Sequence, residues 1–465
     1  MLTTVAMGVA LIAILTIGVG RSMFRRPTRY VSTATRCVTV GQVLLNATLL
    51  STGVWLMWSG IRLALFVVAL VPLAFVPFSY ARVRLHRLIE GHFNRFAMWT
   101  VVAIGLGCDA IMAAQMVTAR QMRPPAVVSG FGITWVGAVW FSAHALLLLG
   151  YGLLAVARGS RRTLWKLVPS RPAVARPDER SLARRELLQR VGLVGAALPF
   201  GVSLSSARLS YDFRVEQREI VLPLWPAALD GLRIVHLSDI HVGGSMDRRR
   251  VLRVAALANQ CRPDLVLHTG DFLTHRAGDF DAPLYEAVAR IQAPHGQFAC
   301  LGNHDFDDPQ RLERRLRESG VIVLRNRMVA IVVRGEALEI AGLDFQHDRL
   351  QRAAVQQRII ESWGPRGRAP RILLDHDPTM FAALPDGCAD LVLSGHTHGG
   401  HIGVQLDSSH AITLVGLAGF PDQGLFSRGD LRMYVTRCVG FYGYPMRIGI
   451  PPEIALLILR SPRPI

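Results

Sequence analysis

The chain has 465 residues, 51% of them hydrophobic, and a formal charge of +18; a length of that order holds two or three domains. So basic a balance would suit a nucleic-acid binder, but Arg208–Ile465 carries 30 basic and 29 acidic residues, so its polar half offers no basic groove. The six cysteines lack CxxC spacing, which gives no cysteine metal site.

In chain order, apolar runs come first. They occupy Thr4–Gly20, Val38–Trp58, Arg62–Tyr80, Ala97–Val117 and Gly132–Ala157, each near the ~20 residues needed to cross a bilayer core. The reading is a membrane region of about five transmembrane helices over residues 1–157. The excess charge lies between these runs. Arg21–Arg36, Arg82–Arg95 and Arg158–Arg190 hold 5, 4 and 10 Lys/Arg against 0, 1 and 3 acids. Because cytoplasmic loops are enriched in Lys and Arg, these segments are expected inside. Residues 158–190 then form a basic cytoplasmic linker, in which Ala183-Arg184-Arg185-Glu186-Leu187-Leu188-Gln189 resembles a twin-arginine export signal. The next apolar stretch, Val191–Ala207, is at the short limit for a span. It reads as a short sixth span or internal signal-anchor, which places residues 208–465 outside a bacterial cell membrane.

Beyond that boundary, strands and helices alternate. Five apolar runs read as buried strands, and each ends in a polar cluster. Leu232–Leu237 leads into Ser238-Asp239-Ile240-His241, Asp264–His268 into Thr269-Gly270-Asp271, and Gln297–Leu301 into Gly302-Asn303-His304-Asp305. Arg371–Leu374 leads into Asp375-His376-Asp377, and Asp390–Ser394 into Gly395-His396-Thr397-His398-Gly399-Gly400-His401. Apolar positions at helical spacing mark Asp247–Cys261, Ala282–Ile291 and Pro309–Ser319 as helices. In α/β sheets ligands bind at the carboxyl ends of strands, where all five clusters fall. Carboxylate, imidazole and amide donors without thiolate suit Mn, Fe, Zn or Co, and at least seven donors are more than one ion needs. His236, His268, His295, His92 and His144 read as ordinary strand, loop or helix histidines.

The ordered set DxH, GD, GNHD, a lone histidine after a strand, and GHTH resembles the calcineurin-like metallophosphoesterase superfamily. The tail Val439-Gly440-Phe441-Tyr442-Gly443-Tyr444-Pro445-Met446-Arg447, followed by Pro452-Glu453-Ile454, is similar to the end of its membrane-associated bacterial branch. The resemblance implies a four-layer α/β/β/α domain behind the helical membrane region. It also implies two divalent metal ions, with Asp239, His241 and His398 on one, Asn303, His376 and His396 on the other, and Asp271 bridging. A hydroxide held between the ions would then attack a phosphomonoester or phosphodiester, His304 would serve the leaving oxygen, and Asp305 would orient the His304 ring. His401 stands where the branch often has Gln, and Thr274 where relatives commonly place an acid. Tethering favours lipid- or envelope-linked phosphoesters. The rival reading is a non-catalytic membrane sensor or transport-associated protein that binds a phosphorylated ligand.

Overall fold

The computed structural model describes Cys108, parts of 139–150 and residues 179–462, apart from 244–245, 275–280, 347, 365–366, 368, 408–409 and 441–445. The five expected spans lie almost wholly outside the described residues, as do most of the linker and the tail residues Phe441–Pro445. The chain divides into two compact units, Met1–Ser205 and Ser206–Ile465. Helix α1 (Glu179–Leu209) contains the expected crossing Val191–Ala207 and has Pro199 inside it. Among the described residues no helix is long and apolar enough to cross a membrane.

The second unit is built on two six-stranded sheets. The first has the order β1 (Arg214–Val221), β14 (Glu453–Arg460), β2 (Leu232–Leu237), β3 (Leu265–His268), β4 (Gln297–Ala299), β5 (Val321–Val323). The second has the order β12 (Gly424–Arg428), β13 (Leu431–Val435), β9 (Leu391–Ser394), β8 (Arg371–Asp375), β7 (Glu336–Leu343), β6 (Arg327–Val333). A small hairpin pairs β10 (Gly403–Gln405) with β11 (Ala411–Thr413).

Three apolar layers hold the unit together. Ile234, Leu265, Leu267 and Phe298 of the first sheet pack between the sheets with Ile340, Ile372, Leu374, Leu391 and Leu393 of the second. Outside the first sheet lie α2 (Arg248–Gln260), α3 (Ala282–Ala289) and α4 (Pro309–Glu318), which supply Val251, Val254, Leu284, Val288, Leu312 and Leu316 to a second core. Outside the second sheet, α5 (Arg349–Ser362) contributes Ile359 to a third, with Leu373, Val392 and Met433. The order is therefore helix, sheet, sheet, helix. Each core Val or Leu contributes roughly 1.5–3 kcal/mol. Helix α2 starts where the Asp247 carboxylate accepts the Arg250 N–H at 2.9 Å, a cap that contributes about 1 kcal/mol.

Strands β2, β3 and β4 are mutually parallel, as are β7, β8 and β9. Each of the five strands expected from the sequence is present, and their carboxyl ends converge. That convergence follows from parallel pairing, which brings successive strands out on the same edge.

Two buried histidines in these strands are packed core residues. The His236 and Thr269 side chains hydrogen-bond at 2.9 Å, and those of His268 and Gln297 at 3.2 Å. Burial, aided by the neighbouring His268, lowers the His236 pKa to about 3, and burial lowers that of His268 to about 4. Both lie below the unfolded value of about 6.5, so the unfolded chain takes up protons that the folded core refuses. Stability is thus expected to fall as pH drops from 6.5 toward 4, by up to about 1.4 kcal/mol per group per pH unit. Denaturant midpoints at pH 7 and pH 5 check this, and His268→Gln should flatten the dependence.

Candidate metal centre

All seven sequence-predicted donors come together at the converging strand ends. One donor atom from each of Asp239, His241 and Asp271 lies within 4.8 Å of the others, and the same holds for Asp271, His376 and His396. Asp271 belongs to both groups. Its Oδ2 is 3.6 Å from His241 Nε2 and 3.4 Å from His376 Nε2. His398 Nε2 lies 3.3 Å from Asp239 Oδ1, and Asn303 Oδ1 lies 3.1 Å from His376 Nε2.

The two carboxylates are held in the same way. Asp239 Oδ2 accepts the Ser238 hydroxyl at 2.5 Å, the His396 N–H at 3.0 Å and the Cys438 thiol at 3.0 Å. Asp239 Oδ1 is buried and has no hydrogen-bond partner among the described residues. Asp271 Oδ1 accepts the His304 N–H at 2.8 Å, leaving Oδ2 facing the histidines. In each residue one oxygen is fixed by the chain and the other points into the cluster. A buried acceptor without a donor costs roughly 1–3 kcal/mol, a cost that a cation at this point would remove.

The imidazoles are fixed from behind. His376 Nδ1 faces the Thr269 carbonyl at 2.6 Å, and His398 Nδ1 faces that of Gly440 at 3.2 Å. With Nδ1 donating, each Nε2 presents a lone pair to the cluster, the arrangement metal-binding histidines adopt. His376 Nε2 faces Asn303 Oδ1, Asp271 Oδ2 and, at 3.2 Å, His396 Nδ1. One proton cannot satisfy all three, and the donor set fits a divalent cation.

Electrostatics point the same way. Burial opposes charge on His376, but the Asp271 and Asp239 carboxylates outweigh it and lift the pKa to about 10. His241 faces the same carboxylates yet is pushed down to about 4, by burial first and then by His304 and His376. The groups titrate together: the carboxylates call for positive charge, and once His376 carries it a second imidazolium is repelled.

Backbone geometry explains the tight convergence. Asp239, His241, Asp271, His396 and His398 all have φ between 51° and 67°, a left-handed conformation that non-glycine residues rarely adopt and that concentrates at functional sites. Glycines make room for it. A Cβ on Gly302 would collide with Asp271 Oδ1, and one on Gly395 with Ser238 Oγ and Asp239 Oδ2.

Asp305, expected to orient the His304 ring, has a buried carboxylate that accepts the backbone N–H groups of Asp271 at 2.7 Å, Phe272 at 2.9 Å and Gly302 at 2.9 Å. It therefore ties the loop after β3 to the loop after β4. The His304 ring stands edge-on to His241, their centroids 5.1 Å apart. Thr274 donates to the His241 carbonyl at 2.8 Å, and the His401 ring packs 4.8 Å from that of His398.

Sequence reading missed three contributors. Cys438, one of the six cysteines without CxxC spacing, reaches Asp239; burial and that carboxylate hold its pKa well up, so the thiol keeps its proton and donates. Phe345, just after β7, lies 6.1 Å from the His376 ring and 5.9 Å from that of His396. Fully buried Arg447 donates to the carbonyls of His398 at 2.9 Å, Cys438 at 3.2 Å and Gly440 at 2.5 Å. A lone Cys or Phe gives no signal in one sequence, whereas an arginine within the apolar tail motif is such a signal.

Parallel strand ends that converge five polar loops on paired carboxylates and imidazoles define a metal-binding hydrolase architecture. The sequence profile described as calcineurin-like phosphoesterase matches residues 232–400. A metallophosphoesterase of Aquifex aeolicus is 30% identical over 256 residues, spanning 54% of this chain and 94% of that protein. The phosphodiesterase YaeI of Escherichia coli is 28% identical over 243 residues, 49% of this chain and 82% of YaeI. A zebrafish transmembrane protein with a metallophosphoesterase domain is 31% identical over 262 residues, which are 53% of this chain but only 57% of that relative's length. The chain belongs to the calcineurin-like phosphoesterase family.

Proposed function

We propose that the chain is a membrane-anchored, metal-dependent phosphoesterase that hydrolyses a phosphomonoester or phosphodiester outside the cytoplasmic membrane. The observation that carries the reading is the pair Asp239 and Asp271, each with one oxygen fixed by the chain's own donors and the other turned into the imidazole cluster. Asp239, His241 and His398 would hold one divalent ion, Asn303, His376 and His396 the other, and Asp271 would serve both. Two such ions lower the pKa of water toward neutrality and offset phosphate charge. Cys438, Ser238 and the His396 N–H hold Asp239 in place, while Thr269 and Gly440 set the tautomers of His376 and His398. His304, half-buried beside His241, protonates the departing oxygen.

Metal-dependent hydrolysis of p-nitrophenyl phosphate and bis-p-nitrophenyl phosphate by the purified full chain tests the proposal. Turnover with none of Mn²⁺, Fe²⁺, Zn²⁺ or Co²⁺ by folded protein would sink it. His304→Ala is expected to keep both metals and lose about 10²–10⁴-fold in rate, read by metal content beside initial rates. Anchoring is supported by the apolar runs of residues 1–157 and the transmembrane relative. A reporter fused after residue 210 tests the side on which the site lies, and cytoplasmic signal would refute export without touching the chemistry.

A further inference from the structure

The loop that carries His396, His398 and His401 continues directly into β10, β11 and the short helix α6 (Leu414–Leu417). This segment exposes a series of large apolar side chains. Val404 pairs across the hairpin with Ile412, and their exposures are 60% and 52%. Leu406, two residues on, shares that face. Leu414, Leu417 and Phe420 follow and are also exposed, Leu417 to 74%. Thr413 is buried, bonds Asp422, and caps α6 by accepting the Gly416 N–H at 2.9 Å, while the exposed Asp407 and His410 pair with each other at 2.9 Å. Between Ile402 and Leu425 there is no Lys or Arg. Large apolar side chains side by side on a surface mark an interaction site.

The place where the chain enters the domain indicates the occupant. Leu209, at the end of α1, lines a cleft of about 290 Å³ together with Gln405 and Asp407 of the hairpin and with Arg447. The polypeptide that precedes Leu209 carries five runs of membrane-spanning length. The hairpin and the point at which the chain enters the domain thus share one side of it. We infer that the Val404–Phe420 hairpin and helix seat in the apolar layer of the bilayer, so that the metal centre opens at headgroup depth onto a phosphate ester carried by a lipid. The absence of basic residues makes this contact hydrophobic, as apolar faces enter the acyl boundary without needing anionic lipid. The substrate side of the inference rests on the phosphoesterase reading; the docking itself does not.

The test uses the full chain in phosphatidylcholine proteoliposomes and two esters with the same reacting group, hexadecyl p-nitrophenyl phosphate in the bilayer and soluble ethyl p-nitrophenyl phosphate. Leu414→Asp/Leu417→Asp is expected to lower turnover of the lipid ester at least about tenfold and leave the soluble ester within about twofold. Equal loss on both esters, or none on either, overturns the lipid-facing site. If the unsubstituted chain turns over neither ester with any metal, the phosphoesterase reading fails instead. Docking is read separately from a nitroxide on Leu417→Cys. Oxygen should relax it more strongly than a water-soluble nickel chelate does, and the reverse order overturns docking. Spin–spin broadening that disappears on dilution with unlabelled chain overturns it too, by showing a second copy on this face.

Discussion

Asp271→Ala is expected to leave the chain folded, strip both metal positions of tight occupancy and reduce phosphoester turnover at least about 10³-fold. The reason lies in its shared oxygen. Asp271 Oδ2 is the atom that faces both His241 and His376, so under the proposed two-ion arrangement its removal would take a ligand from each ion at once. It also removes the charge that helps lift the His376 pKa. The folding cost is smaller, because the substitution orphans one hydrogen-bonded donor, the His304 N–H, at roughly 1–3 kcal/mol. Metal content of the purified protein and turnover under saturating Mn²⁺ check it together. Retention of two ions per chain would show that Asp271 is not shared.

Asp305→Ala is expected to act mainly on stability. Its carboxylate is the acceptor for three backbone N–H groups from two loops, and alanine leaves all three buried without a partner. At about 1–3 kcal/mol each, the sum is a large part of a typical domain's 5–15 kcal/mol. Asp305→Asn keeps one acceptor oxygen but turns an amide N–H toward other donors, so it should fall between alanine and the native residue. Denaturant unfolding ranks the three. If Asp305→Ala unfolds with an unchanged midpoint but loses rate as His304→Ala does, Asp305 acts on the His304 ring after all.

What could be read from the sequence follows from how local each signal is. Leu232–Leu237 and Leu391–Ser394 announced themselves as strands because apolar runs with polar stops are local patterns. The DxH, GNHD and GHTH clusters were legible for the same reason, each being a short motif at a strand end. The partner of Asp305 was not, since its acceptor role depends on the loop after β3, whose Asp271 lies 34 residues away. Cys438 reaches Asp239 across 199 residues. Strand β14, between β1 and β2, has no sequence-local partner either. The left-handed backbone of five metal-cluster residues had no precursor in composition, because tertiary contacts impose it against local preference. The long apolar runs were the strongest compositional signal, and they lie almost wholly outside the described residues.

Arg447 carries a practical consequence. Its backbone N–H donates to Ser210 Oγ at 2.7 Å, and that hydroxyl donates to the Ser206 carbonyl at 2.8 Å. Its guanidinium holds the carbonyl of His398. The last turn of α1 is thus wired to the loop that carries His398 through one arginine. A recombinant catalytic fragment cut after Ser210 would leave the Arg447 N–H buried without an acceptor, and one cut at Arg208 would keep Ser210 but lose the carbonyl that holds it. The excision point that preserves the chain of bonds lies before Ser206.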